Sequence, residues 1–305
     1  MDFQSADILD RKAGSKGGIE GSAIPIPLVL RAATSKRFHS NHRRAVGVRY
    51  FVSDTPSGRV RRMDFFDTII VLLVFLFAGG VKGIAGLGLP TVSLALLSAR
   101  FGIEQAIPLL VIPSLLTNLW QASIGGRARA LFIRFWPALI LIPPALWIGY
   151  RHIFLEAPQS MERVLGGVLI VYAGLGLFSV RWSFPAGMEG LATPVVGFLN
   201  GLITGFTGTF VIPLVMYLEA LGVERDELVQ MMGIAFSLST LSLAAVLVAH
   251  DAYRPQAGFL SAVAVIPAVA GMVIGAAIRS RMSPGLFRKW LMAGLAGVGI
   301  KLLVF

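Results

Sequence analysis

The chain has 305 residues, of which 55% are hydrophobic and only 14% charged, with a formal net charge of +11 and a mean hydropathy of +0.76. That balance excludes a soluble globular domain and indicates a polytopic membrane protein. There is no cysteine, which excludes a disulfide framework and a thiolate metal site.

Residues 1–62 differ in kind from the rest: polar, rich in Ser, Gly and Arg, with Arg59, Arg61 and Arg62 just ahead of the first apolar run. They read as a basic, disordered tail, or as a translated leader upstream of a start at Met63. MDFFDTIIVLLVF is a common kind of entry into a first span. A targeting or nucleic-acid arm is the third reading.

The first apolar run, about Phe65 to Ala99, is interrupted by VKGIAGLGLP, Val81 to Pro90. A bilayer core of about 30 Å needs only about 20 helical residues, so the run is too long for one regular span. A helix broken at mid-depth fits, with Lys82 roughly 20 Å in from Ile69 at about 1.5 Å per residue. Lysine at that depth is costly and ordinarily faces a cavity or a partner. A broken helix exposes amide N–H groups that favour an anion, and Gly83, Gly86 and Gly88, followed by Pro90, allow close backbone approach. The competing reading is helix packing through Gly79-x-x-x-Gly83 and Gly201-x-x-x-Gly205.

In the second segment, about 106–122, Ser114, Thr117, Asn118 and Gln121 recur at i, i+3, i+4 and i+7, one face of a helix. That stripe is either a pathway lining or interhelical hydrogen-bonding glue. The third segment, about 135–150, contains Pro137, Pro143 and Pro144, tolerable where neighbouring helices re-satisfy the backbone. The fourth is about 164–180, and a polar link, 181–190, follows.

The second half repeats the device. Its first run, about 191–218, is broken in the words NGLITGFTGTFVIP, with Asn200 near the place of Lys82 and with Thr204, Gly205, Thr207 and Gly208 in the loop. Segments at about 229–248, 259–278 and 287–305 complete it. Gly102-Ile103-Glu104 answers Gly222-Val223-Glu224, and Gly149 to Pro158 answers Gly275 to Pro284. The expectation is an all-α polytopic protein of about eight transmembrane helices in two homologous four-segment repeats, 63–180 and 191–305, each opening with a Gly/Pro-broken helix. Paired broken segments point to a transporter site at the repeat interface. The repeats would run parallel if each broken run crossed once; a re-entrant pair or an extra crossing would change the parity, and the sequence leaves both open. On the single-crossing reading one side holds Arg127, Arg129, Arg134, Arg181 and Arg254, and the other holds Arg100, Arg151, Arg163, Arg225, Arg279, Arg281, Arg288 and Lys289.

Carboxylates past the tail fall in loops or at segment ends, which disfavours a carboxylate proton relay. Without a Walker A sequence, a nucleophile elbow or a His/Glu metal pair, the chain reads as a non-enzyme with no cofactor and no metal.

The Lys-Gly-x-x-Gly-x-Gly-x-Pro words, the Gly-x-x-x-Gly-x-x-Gly words, the ProSer...ThrAsn...Gln helix and the duplication together resemble the sulfite exporter TauE/SafE family over about Thr68 to Val304. The resemblance implies a multi-pass inner or plasma membrane transporter of small anions, typically sulfur-bearing ones such as sulfite and sulfonates. It implies a site of Lys82, Gly83, Gly86, Gly88 and Pro90, with Asn200, Gly205 and Gly208 opposite. Many members carry Gly-x-Gly-Gly-Gly where this chain has GLGLP and GFTGT, a departure that bears on the substrate. The reading that results is a secondary permease for a small anion, working by alternating access around two broken helices. A passive anion channel and an integral-membrane enzyme are the alternatives. Its partners are the solute and the lipid bilayer, not nucleic acid, and a homo-oligomer is left open.

Overall fold

The computed structural model describes residues 63–154, 158–178, 184–185, 187–281 and 283–304; the expected basic tail and the middle of the polar link lie outside them. Among the described residues the chain forms ten α-helices: α1 Phe65–Ala85, α2 Leu89–Phe101, α3 Ile103–Ser123, α4 Ala128–Phe154, α5 Pro158–Leu177, α6 Glu189–Thr207, α7 Leu214–Ala220, α8 Arg225–Ala249, α9 Pro255–Ile278 and α10 Pro284–Val304. Seven of these, α1, α3, α4, α5, α6, α8 and α9, contain segments long and apolar enough to cross a membrane. The eighth expected segment, α10, carries Arg288, Lys289 and Lys301 and is not among the seven.

Local chemistry sets the breaks. α1 opens on a reciprocal cap between Asp64 and Asp67, whose Asp67 N–H donates to Asp64 Oδ1 at 2.8 Å. It closes on Gly86 at φ 82°, a left-handed conformation that favours glycine. Gly88, at φ 109°, caps α2, and Pro90 follows in its first turn, where no backbone N–H is needed.

The first broken run is a hairpin of two helices, not one interrupted crossing. Arg100 at the end of α2 pairs with Asp67 at the start of α1 at 3.1 Å, so α2 runs back along α1. Lys82 and Gly86 at the end of α1 meet Thr117, Asn118 and Gln121 at the end of α3, so α1 and α3 finish at the same end, taken here as the upper one. The second run does the same. Tyr217 of α7 donates to Glu189 O at 3.3 Å, which brings α7 back to the start of α6.

Two extra passes leave each half with an odd number of elements, and the contacts between halves confirm the consequence. Gln121 of α3 bonds Val229 of α8, and Ala122 bonds Gln230; the end of α3 therefore meets the start of α8, and the two are antiparallel. On α5 and α10, Gly166 lies against Leu303 and Gly176 against Met292, again antiparallel. The condition for parallel halves, one crossing per broken run, is thus not met, because each broken run turns back. Meanwhile α1 runs parallel to α9 and α4 parallel to α6, at a distance only glycine permits: a Cβ on Gly79 would lie 2.1 Å from Ala268 O, and one on Gly201 2.4 Å from Ile142 O.

The charge distribution re-sorts accordingly. Arg225, Arg279, Arg281, Arg288 and Lys289 stand at the upper end with Arg127, Arg129 and Arg134, whereas Arg254 joins Arg100, Arg151 and Arg163 below. Side-chain labelling checks this directly, because the chain has no native cysteine. Ser123→Cys and Asp226→Cys are expected to react with a membrane-impermeant thiol reagent from one side of the membrane, and Arg151→Cys and Asp251→Cys from the other. Labelling of Ser123→Cys and Asp226→Cys from opposite sides would restore the single-crossing topology.

The interior holds Phe75, Phe135, Tyr150, Phe210 and Phe236, all fully buried, while Phe77, Trp136, Ile140, Ile266 and Trp290 project outward. An outer surface this apolar suits lipid rather than water.

A candidate solute site beside the first hairpin tip

Lys82 stands one turn before the capping glycine of α1, and its side chain is 4% exposed. Its Nζ donates to Thr117 Oγ1 at 3.3 Å and to Asn118 Oδ1. Thr117 Oγ1 in turn lies 2.8 Å from Pro113 O, the i−4 carbonyl on its own helix. Both partners of the ammonium group are neutral, and no ion pair among the described residues includes Lys82. Three polar atoms near this level of the fold are buried without a hydrogen-bond partner: Asn118 Nδ2, Ser114 Oγ one turn before it, and Thr91 Oγ1 in the first turn of α2. Buried polar groups without partners are uncommon.

A cavity of about 1060 Å³ adjoins this group. Lys82, Gly83, Gly86, Thr117 and Gln121 line it, and Arg127, Glu227 and Gln230 stand with them in its wall. Arg127 and Glu227 pair with each other, and Glu224 and Asp226 stand with them in the lining at the start of α8; none of these carboxylates forms an ion pair with Lys82.

Gln121 is a clamp. Its Nε2 donates to Gly86 O at 3.0 Å and to Val229 O at 2.6 Å, so one amide holds the hairpin tip against α8. Gln230 answers it, donating to Ala122 O at 2.9 Å while its Oε1 accepts the Arg127 N–H at 3.1 Å. Sequence reasoning missed Gln230 and Thr91; the position of Thr91 beside Pro90 at the loop exit was the available signal for the latter. Replacing Gln121 with Leu is expected to destabilise the protein by about 1–3 kcal/mol, the cost of orphaned buried carbonyls, measured as a lower unfolding midpoint in detergent. An unchanged midpoint would show that the tip is held by packing alone.

The two broken loops do not converge on one pocket. Gly86 is level with Gln121, near the end of α3, and Gly208 lies against Ile107, near its start. Fourteen residues of helix between those positions amount to about 20 Å. Each tip is also closer to an end of the bundle than the mid-depth expectation had it: Gln121 is two residues short of the end of α3.

The second loop satisfies its own polar groups. Thr204 Oγ1 lies 2.7 Å from Asn200 O and 2.8 Å from Thr209 O, Thr207 Oγ1 is 3.0 Å from Thr209 Oγ1, and Gly208 at φ 71° caps α6. With its amide turned so that the nitrogen faces carbonyls, Asn200 donates to Phe210 O at 3.0 Å and Ile212 O at 3.2 Å. Counted from the capping glycines, Thr204 rather than Asn200 occupies the place of Lys82: Gly86 N–H donates to Lys82 O and Gly208 N–H to Thr204 O, each at 2.7 Å. Gly83 and Gly205 sit in helix contacts, where a Cβ would lie 2.2 Å from Met272 O and 2.3 Å from Leu146 O respectively.

Seven long apolar helices around a buried lysine, with a largely apolar cavity beside it, are the architecture of a multi-pass membrane protein. The sulfite exporter TauE/SafE family model matches residues 71–302, and the chain belongs to that family of membrane transporters. No curated protein and no solved structure matches the chain.

Proposed function

We propose that the protein is a secondary transporter of a small sulfur-bearing oxyanion or organosulfonate in the plasma membrane, and that Lys82 holds the anion. The observation that carries this reading is a buried ammonium group bound only by a hydroxyl and an amide, in the wall of a cavity. An ionised group out of water needs compensation, and a solute anion supplies what Thr117 and Asn118 cannot. Asn118 Nδ2, Ser114 Oγ and Thr91 Oγ1, buried outside the cavity's lining, are the spare groups that an anion drawn in beside Lys82 would reach. Gly88 and the first turn of α2, which no side chain caps, add the positive end of a helix dipole. Lys82, Gly86, Gly88, Pro90, Thr91, Thr117 and Asn118 form the binding group. Gln121, Asn200, Thr204, Thr207 and Gly208 hold the hairpins in shape.

The chain in this proposal is a tandem duplication, α1–α5 and α6–α10, with the second copy inverted. Supporting it, α1 packs on α9 as α6 packs on α4, and α3 and α5 pair with their own counterparts α8 and α10. Inverted halves with helical hairpins of opposite sense suit alternating access, one hairpin governing each end of the bundle. The cavity beside the first tip opens the site toward the upper end.

The test is uptake of radiolabelled sulfite, sulfate and a taurine-like sulfonate into proteoliposomes. Saturable flux of one of them is the expected result, accumulated against its gradient when a coupling ion is supplied. Flux that only ever runs downhill would mark a passive channel, and no flux of any would overturn the anion reading. Asn118→Asp, nearly isosteric, is expected to weaken anion binding by about tenfold or more, since a fixed carboxylate on Lys82 competes with the solute for a charge-assisted bond. An unchanged half-saturation concentration would place the anion elsewhere.

A further inference from the structure

A second cavity, of about 500 Å³, lies on the other side of the first hairpin tip. Its rim carries Arg225, Arg279 and Arg288 against the single carboxylate of Glu219. All three arginines are exposed, and none takes part in an ion pair among the described residues. Their positions in the helices fix their depth. Arg225 is the first residue of α8, Arg279 follows the last residue of α9, and Arg288 is in the second turn of α10. The starts of α8 and α10 and the end of α9 all stand at the upper end of the bundle, so three arginines line one cavity where spans leave the bilayer. The N-termini of two long helices, α8 and α10, converge on the same rim and add their positive dipole ends; no side chain caps α8.

Below the rim the lining changes character. Leu87, Val215, Leu228, Leu291 and Met292 form an apolar floor that continues downward beside Ile84. A free inorganic anion would use only the rim. A ligand that uses both parts needs a phosphate at headgroup depth and a hydrocarbon chain beneath it. We propose that this cavity is a binding site for an acidic phospholipid, its phosphate on Arg225, Arg279 and Arg288 and one acyl chain against the apolar floor. The bound lipid then buttresses the hairpin from behind: Ile84, Ala85 and Leu87 face this cavity, whereas Lys82, Gly83 and Gly86 face the solute cavity.

Native mass spectrometry of the full chain in detergent tests the site with three probes: phosphatidylglycerol, phosphatidylcholine and inorganic phosphate. Each basic residue near an anionic headgroup is worth roughly fivefold in binding. Wild type is therefore expected to retain phosphatidylglycerol at least about tenfold better than phosphatidylcholine. The triple variant Arg225→Gln, Arg279→Gln, Arg288→Gln is expected to lose that preference, and Arg129→Gln, an exposed charge at the same end, to keep it. Should the triple variant not fold, Arg279→Gln alone is expected to lower phosphatidylglycerol retention about fivefold. Equal retention of the two lipids, an unaltered preference in the variants, or displacement of the lipid by millimolar phosphate would each overturn the proposal; the last would mark a site for soluble anions.

Discussion

Lys82→Ala is expected to abolish transport while leaving the protein in the membrane. A charge-assisted hydrogen bond contributes about 1.5–3 kcal/mol, so losing the cation that meets the solute lowers anion affinity by roughly 10- to 150-fold. The truncation has a second consequence, because Asn118 Oδ1 and Thr117 Oγ1 lose their donor; an orphaned buried acceptor costs about 1–3 kcal/mol of stability. Lys82→Gln separates the two effects. The glutamine amide can still donate to the oxygens on α3, so this variant is expected to retain most of the stability and none of the transport. Flux of labelled anion in proteoliposomes, read beside the unfolding midpoint, decides between them. Near-normal flux in Lys82→Gln would remove the lysine from the solute path and leave it as a tie between α1 and α3.

Gly205→Ala is expected to cost the fold rather than the site. A Cβ there would lie 2.3 Å from Leu146 O and 2.7 Å from Tyr150 N, both backbone atoms of α4 that move only if the whole helix moves. Overpacking of a tight contact typically costs about 1–3 kcal/mol, and more where no flexible side chain can yield. The matching position, Gly83, meets Met272 O at 2.2 Å and Ala276 N at 2.7 Å, and Gly83→Ala is expected to behave alike. Gly167→Ala is the control, since nothing lies within 4 Å of its Cβ and alanine is favoured over glycine in a helix by roughly 1 kcal/mol. The measurement is the fraction of monodisperse protein after mild heating in detergent. Wild-type resistance in both Gly83→Ala and Gly205→Ala would mean that α1 and α9, or α4 and α6, are not in this close contact.

Class and the existence of the apolar segments were legible because they depend on local quantities; their ends were less so, since α4 runs Ala128–Phe154 where the apolar segment spans about 135–150. Over-long apolar runs, a glycine where a helix must close in the left-handed region, and a proline where the next helix opens are each set by a few adjacent residues. Lys82 was legible as a candidate for the same reason, since a charge inside an apolar run stands out wherever the chain goes. The stripe Ser114, Thr117, Asn118 and Gln121 was correctly placed on one helix face, but its members have different neighbours: Thr117 and Asn118 hold the lysine, while Gln121 ties Gly86 to Val229. Spacing cannot distinguish those tasks, because it records which residues share a face and not what faces them.

By itself, then, the sequence determined that this chain spans a membrane many times as helices, which apolar runs are broken, and that one break carries a lysine inside an apolar run. Only the tertiary structure decided that each break is a hairpin, that α3 and α8, like α5 and α10, run antiparallel, and that the two loops stand about 20 Å apart along α3. The reason is that a Gly/Pro break specifies a change of direction without specifying its angle. That angle is set by distant contacts: Arg100 on Asp67 for the first hairpin and Tyr217 on Glu189 for the second.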